Sequence, residues 1–310
     1  MTLENLALLS RRSRLSVAVV ILALIGAAAW TAGHFLQPAA PRHIVLASGL
    51  EDGLFHQYAK RYAGILARSG VTVEERMTAG AGDNLRLLED PHSGVDIGFT
   101  QGGVAKFPEA NDVVMLSNLY YLPMWIFYRD TDTFNQVNEL RNHRVAVGAE
   151  GSGTRSLVEP VFALNNLTTE NITMLPLGND AALRALKSDE VDAAVFVDGA
   201  QNQAVWAALH DPHLRLMSYG HADAYPRLLP YIKKLTLPSG VIDVAHDIPE
   251  KEVALVGTKA MLAAHDGLHP ALIELLVDAA HEIHDSRRTE SFRGGRRVPG
   301  NDPGRPPHFD

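Results

Sequence analysis

The sequence predicts an α/β protein of two lobes with a ligand cleft between them, preceded by one N-terminal transmembrane helix. Three observations predict it: an apolar run behind a cluster of arginines near the start, strands that hand over to helices through glycine-rich turns, and one helix–turn–strand unit that occurs twice. With 310 residues, the chain is long enough for a pair of lobes of ordinary size.

The first element is the apolar run. Arg11, Arg12 and Arg14 precede Leu15 to Trp30, which carries no charged residue, and the hydrophobicity continues to Leu36. A run near the ~20 residues needed to cross a bilayer, with arginines on its near side, predicts an anchor over 15–36 with residues 1–14 in the cytoplasm. The small residues Ala27, Ala28 and Ala29 would suit signal-peptidase cleavage instead. The longer run and the Pro/Ala linker over 37–41 favour an uncleaved anchor.

His43 to Ala47 reads as a strand, Tyr58 to Ala67 as a helix, Val71 to Arg76 as a second strand and Val95 to Thr100 as a third. Val113 to Leu116 and Met124 to Tyr128 read as two further strands, separated by the aromatic segment Leu119 to Pro123. The stretch Gly80 to Gly103 is then echoed by Gly178 to Gly199. Each has a helix with L-R-x-L (Leu85 to Leu88, Leu183 to Leu186), an acidic turn, Val-Asp (Val95-Asp96, Val191-Asp192), a strand and a closing glycine. The repeat predicts two βαβ lobes.

Between them, VAVGAEGSGTR, Val145 to Arg155, runs from a strand through a glycine turn into a helix. The G-x-x-x-x-G spacing of Gly148 to Gly153 is that of a phosphate-binding P-loop, but Thr154 and Arg155 stand where Lys and Ser/Thr are needed, and Glu150 puts a negative charge in the turn. Unpaired N–H groups at a helix start, beside the Ser152 and Thr154 hydroxyls, suit a carboxylate or phosphate. An ordinary helix cap without a ligand is the competing reading. A strand at Val253 to Gly257 and a closing helix at Leu272 to His284 complete the fold. The Arg-, Gly- and Pro-rich tail over 286–310 reads as disordered.

Composition narrows the function. A net charge of −8 and a pI near 5.9 argue against nucleic acid as a partner, and the absence of cysteine removes thiol catalysis, disulfides and lipid attachment through cysteine. No cofactor motif is evident. His281-Glu282-Ile283-His284 has the wrong spacing for H-E-x-x-H, no G-x-S-x-G elbow occurs, and the strand-end carboxylates Asp96, Asp192 and Asp198 serve loop hydrogen bonds as readily as acid–base work. A non-enzymatic role is expected.

Several stretches together are familiar: IVLASGLEDGLFHQYA, AGAGDNLRLLEDPHSGVDIGFTQGG, LYYLPMWIFYRDTD, RVAVGAEGSGTRSLVEPVFALNNLT and LTLPSGVIDVAHDIPEKEVALVGTKAML. Over Arg42 to His284 the chain resembles the TAXI family of solute receptors, which serve tripartite ATP-independent periplasmic (TRAP) transporters. The resemblance implies a type II periplasmic-binding-protein fold, a small organic acid or amino acid such as glutamate as ligand, membrane permease subunits as partners, and a single-pass protein of the bacterial inner membrane with its binding domain in the periplasm. Asp52-Gly53-Leu54-Phe55 departs from the family's Gly-Gly-Thr-Tyr type of turn, and the similarity stops near His284, as a truncation or frame change would leave it. A membrane-tethered sensor or scaffold that kept the fold without a transport role is the alternative.

The expected lobes are 42–128 with 230–285, and 129–229. The expected ligand residues are Ser48, Gly49, Phe55, Gly80, Asn84, Gln101, Tyr121, Ser152, Gly153, Thr154 and Arg155. Ser152 and Thr154 would hold the carboxylate, Asn84 and Gln101 would read other polar atoms, Phe55 or Tyr121 would pack the carbon chain, and Arg155 would pair with the carboxylate.

Overall fold

The computed structural model describes residues 11–35, 40–104, 112–129 and 134–284; within the first stretch, the side chains described are those of residues 16–28 and 30. The expected tail over 286–310, and most of the expected linker and cytoplasmic N-terminus, lie outside the described residues. The chain divides into two units, Met1–Ala40 and Pro41–Asp310.

The first unit contains one helix, α1 (Arg11–Phe35). Its side chains Val19, Val20, Ile21, Leu22, Leu24, Ile25 and Trp30 are exposed. Among the described residues, no helix is long and apolar enough to cross a membrane.

The second unit opens with β1 (His43–Ala47), α2 (Leu54–Arg68), β2 (Thr72–Arg76), α3 (Ala81–Glu89) and β3 (Ile97–Gln101). β1 lies parallel to both β2 and β3, and its apolar residues are buried. After β4 (Val113–Tyr128) the pattern recurs as β5 (Arg144–Ala146), α4 (Gly153–Leu164), β6 (Thr173–Leu175), α5 (Asn179–Lys187) and β7 (Ala193–Val197). β5 lies parallel to β6 and β7. The strand order 2-1-3-10-4-7-5-6 is thus the same motif, 2-1-3 and 6-5-7, on either side of a central pair. The repeated unit is visible in detail: α3 and α5 each span 9 residues, and β3 and β7 are each 5 fully buried residues.

α6 (Gln203–Leu209), β8 (Arg215–Leu216), α7 (Tyr225–Leu228) and β9 (Lys233–Leu237) lead to the second member of the central pair, β10 (Val253–His265), and to α8 (Pro270–His284). β10 is antiparallel to β3, β4 and β9. Two expectations change here. The two strands expected within 113–128 are one 16-residue strand, because the residues between them, Leu119 to Pro123, stay extended and Tyr121 and Leu122 pair with Lys259 and Thr258. The chain also does not return to the first lobe at residue 230. Ile232, Leu235, Leu237, Val253, Leu255 and Val256 are buried in one core with Trp125, Val145, Phe162 and Phe196, whereas Leu262, Leu272 and Leu276 pack with Ile44, Tyr62 and Phe99. The crossing runs along β10 itself, which is long enough to serve both cores.

Gly257 sits at that crossing. A methyl group there would lie 2.5 Å from the Leu122 carbonyl oxygen, 2.7 Å from Leu235 Cδ1 and 2.9 Å from Pro123 Cα. We expect Gly257→Ala to destabilise the fold by about 1–3 kcal/mol, because backbone on the neighbouring strand cannot yield as a side chain would. Denaturant unfolding at constant m-value measures it; a change under ~0.5 kcal/mol would show that the central pair separates easily.

Candidate functional site

Four helices begin at one place. Gly53, Gly80, Ser152 and Gly178 are the N-caps of α2, α3, α4 and α5, and Gly53, Leu54, Gly80, Ala81, Ser152, Gly153, Thr154 and Asn179 all line a single cavity. The first four N–H groups of a helix have no partner within it. Here the three glycine N-caps provide no side-chain acceptor, so those N–H groups remain available. Gly80 is glycine because its φ of 131° is closed to other residues and because Ser152 and Gly153 approach to 3.4 Å of where a Cβ would stand.

Some of these amides are used inside the protein. Leu54 N–H donates to Asp198 Oδ2 (3.3 Å), Asp180 N–H to Asp52 Oδ2 (2.9 Å), Asp83 N–H to the Gly151 carbonyl (3.0 Å) and Arg155 N–H to Ser152 Oγ (3.1 Å). Among the described residues, the amides of Phe55, Ala81, Gly153, Thr154 and Asn179 have no acceptor, and each of these residues lines the cavity. N–H groups that converge in this way at the positive ends of helix dipoles have the chemistry to accept an anion.

The cavity measures about 60 Å³, room for about four to six waters. Its apolar wall is Leu50, Leu54, Phe55, Leu122 and Val197, with Phe55 stacked on Phe99 at 5.2 Å between ring centres. Asp198, at the end of β7, completes the lining. Its carboxylate accepts from Gly199 N–H (2.8 Å), Leu54 N–H (3.3 Å) and Asn202 Nδ2 (2.9 Å), and its carbonyl accepts from Trp125 Nε1 (2.8 Å). Burial pushes the carboxyl up to about 7, with Asp52 adding to the rise, against the pull of those hydrogen bonds.

Seven of the expected residues, Gly49, Phe55, Gly80, Gln101, Ser152, Gly153 and Thr154, line the cavity together. The other four do not, and each has a physical reason. Both Nδ2 protons of Asn84 are spent on the Ser48 and Phe99 carbonyls (2.6 and 2.7 Å) and its Oδ1 accepts from Thr78, so it ties the end of β1 to the middle of β3 and has no free donor for a ligand. Ser48 is fully buried behind Gly49, its hydroxyl unpartnered. Tyr121 lies under the Lys259 ammonium, 5.3 Å from the ring centre, away from the cavity. Arg155 folds along its own helix onto Glu159 (2.6 Å), one turn on.

The roles within the cavity shift as well. Ser152 Oγ is occupied as the cap of α4, Thr154 Oγ1 accepts from Val197 N–H (3.2 Å), and Gln101 Nε2 donates across the cleft to the Gly153 carbonyl (2.8 Å). Sequence reasoning missed Asp198 as a lining residue and missed Gly53, Ala81 and Asn179. The internal repeat held the signal for Asn179, since Gly178-Asn179 stands where Gly80-Ala81 does. In the His281-Glu282-Ile283-His284 stretch, His284 packs on Tyr58 at 4.6 Å, and Glu282 bonds Arg68 (2.9 Å).

Residues 53–289 match the NMT1-like family. The chain belongs to the NMT1-like family. No curated protein sequence matches it. Among solved structures, it is similar to the periplasmic aliphatic sulphonate binding protein SsuA from Escherichia coli, at 16% identity over 82% of this chain and 76% of that one, with a TM-score of 0.50. It is also similar to Tv2483 bound to L-arginine (11% identity, 81% and 88% covered, TM-score 0.53) and to an ancestral arginine-binding protein bound to arginine (15%, 83% and 100%, TM-score 0.50). The fold of this NMT1-like chain is therefore that of the periplasmic binding proteins.

Asn202 fastens the site in this NMT1-like chain. Its Oδ1 caps α6 through Ala204 and Val205 N–H (2.9 and 3.3 Å), and its Nδ2 bonds the Asp52 carbonyl (2.7 Å) as well as Asp198. Asn202→Ala should cost about 2–4 kcal/mol, a lost cap plus two under-satisfied buried acceptors. Asn202→Asp keeps the cap but sets a second carboxylate beside Asp198, and should cost more at pH 8 than at pH 5. Equal stability of both variants and the parent in urea would show that the site is not held this way.

Proposed function

We propose that the chain is the extracytoplasmic receptor of a TRAP-type secondary transporter and captures a small carboxylate-bearing solute, an amino acid or organic acid such as glutamate, between its lobes. The observation that carries this reading is the set of amides without an acceptor among the described residues, those of Phe55, Ala81, Gly153, Thr154 and Asn179, whose residues line one cavity from both halves of the repeat. A carboxylate seated there satisfies donors from the two halves at once, so its binding favours the arrangement in which they meet. Similar structures are an aliphatic sulphonate receptor and proteins bound to arginine, and ligands of that kind carry a compact oxyanion.

The transporter assignment rests on the TAXI-like stretches between Arg42 and His284. Permease subunits are the partners it implies, and the surface they read changes when ligand draws the lobes together. Leu15 to Leu36 serves as the bilayer anchor that keeps the lobes on the periplasmic face of a bacterial inner membrane; no charge interrupts Leu15 to Trp30, and the large apolar side chains described in α1 are exposed. Sequencing the N-terminus of membrane-extracted protein tests the anchor: residues upstream of Leu15 should be retained, and a chain starting between Thr31 and His34 would show cleavage.

Thermal shift of the full-length protein against dicarboxylates, amino acids, sulfonates and sugars tests the ligand class. An anionic ligand at ~100-fold its Kd should raise the melting temperature by several degrees, since binding to the folded state alone adds about 2.7 kcal/mol; shifts with sugars and with no anion would overturn the reading. Asn179→Pro then removes one donor cleanly. Asn179 is the first residue of α5, where proline fits, and Gly178 before it is already extended (φ −70°, ψ 174°). Compared with Asn179→Ala, the proline variant should weaken the anion by about ten- to a hundredfold, one hydrogen bond to a charged group. Equal affinities would remove the α5 amide from the site.

A further inference from the structure

We propose that the Asp52 carboxylate is a latch between the lobes: it caps the start of α5 from the opposite lobe and, with no solute present, sets how much of the protein has its cleft shut. The inference goes beyond the receptor reading, since it rests on contacts between the lobes and not on what the cleft takes.

α5 begins without a cap of its own. Gly178 stands at its N-cap in extended backbone (φ −70°, ψ 174°) and has no side chain to accept from the first turn, a role ordinarily taken by serine, threonine, aspartate or asparagine. Asp52 fills that role from 128 positions away, its Oδ2 accepting from Asp180 N–H, the second amide of the helix, at 2.9 Å. A carboxylate is stabilised at the positive end of a helix dipole. The turn that carries Asp52 is held by the second lobe on either side of this bond. Asn202 Nδ2 donates to the Asp52 carbonyl (2.7 Å), and Leu54 N–H donates to Asp198 Oδ2 (3.3 Å). Elsewhere in the cleft, Gln101 Nε2 donates to the Gly153 carbonyl (2.8 Å) and Asp83 N–H to the Gly151 carbonyl (3.0 Å). Asp52 and Gln101 are the first-lobe side chains in this set, and Asp52 alone brings a charge. None of these bonds requires a ligand.

The latch is incomplete in a way that lets it open. Asp52 Oδ1 is buried without a hydrogen bond among the described residues, and so is Nε2 of Gln201, the residue before Asn202. Gln201 packs beside the same turn: a Cβ on Gly199 would lie 2.6 Å from Gln201 Oε1 and 2.8 Å from Leu54 Cδ1. A buried carboxylate oxygen and a buried amide donor that go unpaired regain water when the lobes part, which offsets part of what the bonds across the cleft supply. Open and shut forms balanced in this way lie within the range that one carboxylate can tip.

The chain contains no cysteine, so spin labels can be placed on one exposed position of each lobe, through Ala67→Cys in α2 and Ala163→Cys in α4. The test is the distance between them, measured by electron paramagnetic resonance on the full-length protein without ligand. The labelled parent should show a short-distance population. Asp52→Ala should lower the ratio of short to long distances about tenfold, and Asp52→Asn by less, since the amide oxygen still accepts but carries no charge. Gly178 offers an independent route that leaves Asp52 in place. Gly178→Ser supplies a cap within α5 that competes for the same first-turn amides. It should shift the ratio toward long distances relative to Gly178→Ala, which presents the same Cβ to Leu50 Cδ1 (3.1 Å) without the hydroxyl. A distribution unchanged by Asp52→Ala, or a parent with no short-distance population, overturns the latch. If Asp52→Ala does not fold, equal ratios in Gly178→Ser and Gly178→Ala overturn it. Every one of these distances is measured without solute, so the outcome is separate from that of the thermal screen, whose failure sinks the receptor reading alone.

Discussion

Everything in the binding domain depends on the antiparallel pairing of β4 with β10. These strands, 16 and 13 residues long, run through both halves of the sheet and contribute residues to the core of each. Their ladder is irregular between Lys259 and Met261 and again between Leu262 and Ala263. Such irregularities bend and twist a strand pair where they fall. The bends lie on the first-lobe side of Gly257, whose missing side chain lets β10 press against the β4 backbone. An irregular two-strand connection between two packed halves is a place where small φ/ψ changes produce a large relative movement, while each core remains intact.

The cleft follows from that arrangement. Each half contributes a central strand flanked by two parallel neighbours, 2-1-3 and 6-5-7, and in a parallel sheet the helices begin beyond the carboxyl ends of the strands. Because the halves face one another across the central pair, four helix starts meet. Direct bonds then span the cleft: Gln101 to Gly153, Asp83 to Gly151, Leu54 to Asp198 and Asn202 to Asp52. The last two belong to a single turn, Asp52 to Leu54, which is anchored by the strand end at Asp198 and by the cap of α6. The turn that departs from the TAXI pattern is therefore also the one that the second lobe grips.

Much of this was legible in the sequence. The duplicated unit, Gly80 to Gly103 and Gly178 to Gly199, predicted the two halves, and both occurrences fold alike down to the length of helix and strand. The glycine turn at Gly148 to Gly153 predicted where part of the cavity lies. The misses have a common cause. Arg155 and Asn84 were read from chemical capacity, but Arg155 finds Glu159 one turn along its helix, and Asn84 finds the carbonyls of Ser48 and Phe99. A polar side chain is committed by whatever partner the fold places nearest, and that partner is often remote in sequence: Asp198 and Leu54 are 144 residues apart. The return of the chain was misplaced for a different reason, since the alternation of β10 identifies a strand but not which of two cores each half of it serves.

The harder limit lies in the kind of recognition that helix-start amides would provide. Where a solute is held by arginine or histidine, the residue type announces the chemistry. Where it is held by backbone N–H groups, every residue but proline carries the same donor, and the only trace left in the sequence is the glycine that lets a helix start without a side-chain cap. Gly53, Gly80 and Gly178 are such traces, and each is individually indistinguishable from a glycine in any turn. Amides also impose little preference among oxyanions, because carboxylate, sulfonate and phosphate present similar acceptors to them. Selectivity in such a site would come from the side chains, which in this cavity include an apolar wall around Phe55, the polar groups of Gln101, Ser152, Thr154 and Asn179, and the single ionisable side chain, Asp198. A site built this way would bind through its fold and discriminate through its few lining side chains, so exchanging those would change the solute while the sheet, the helix starts and the connection between the lobes stay as they are.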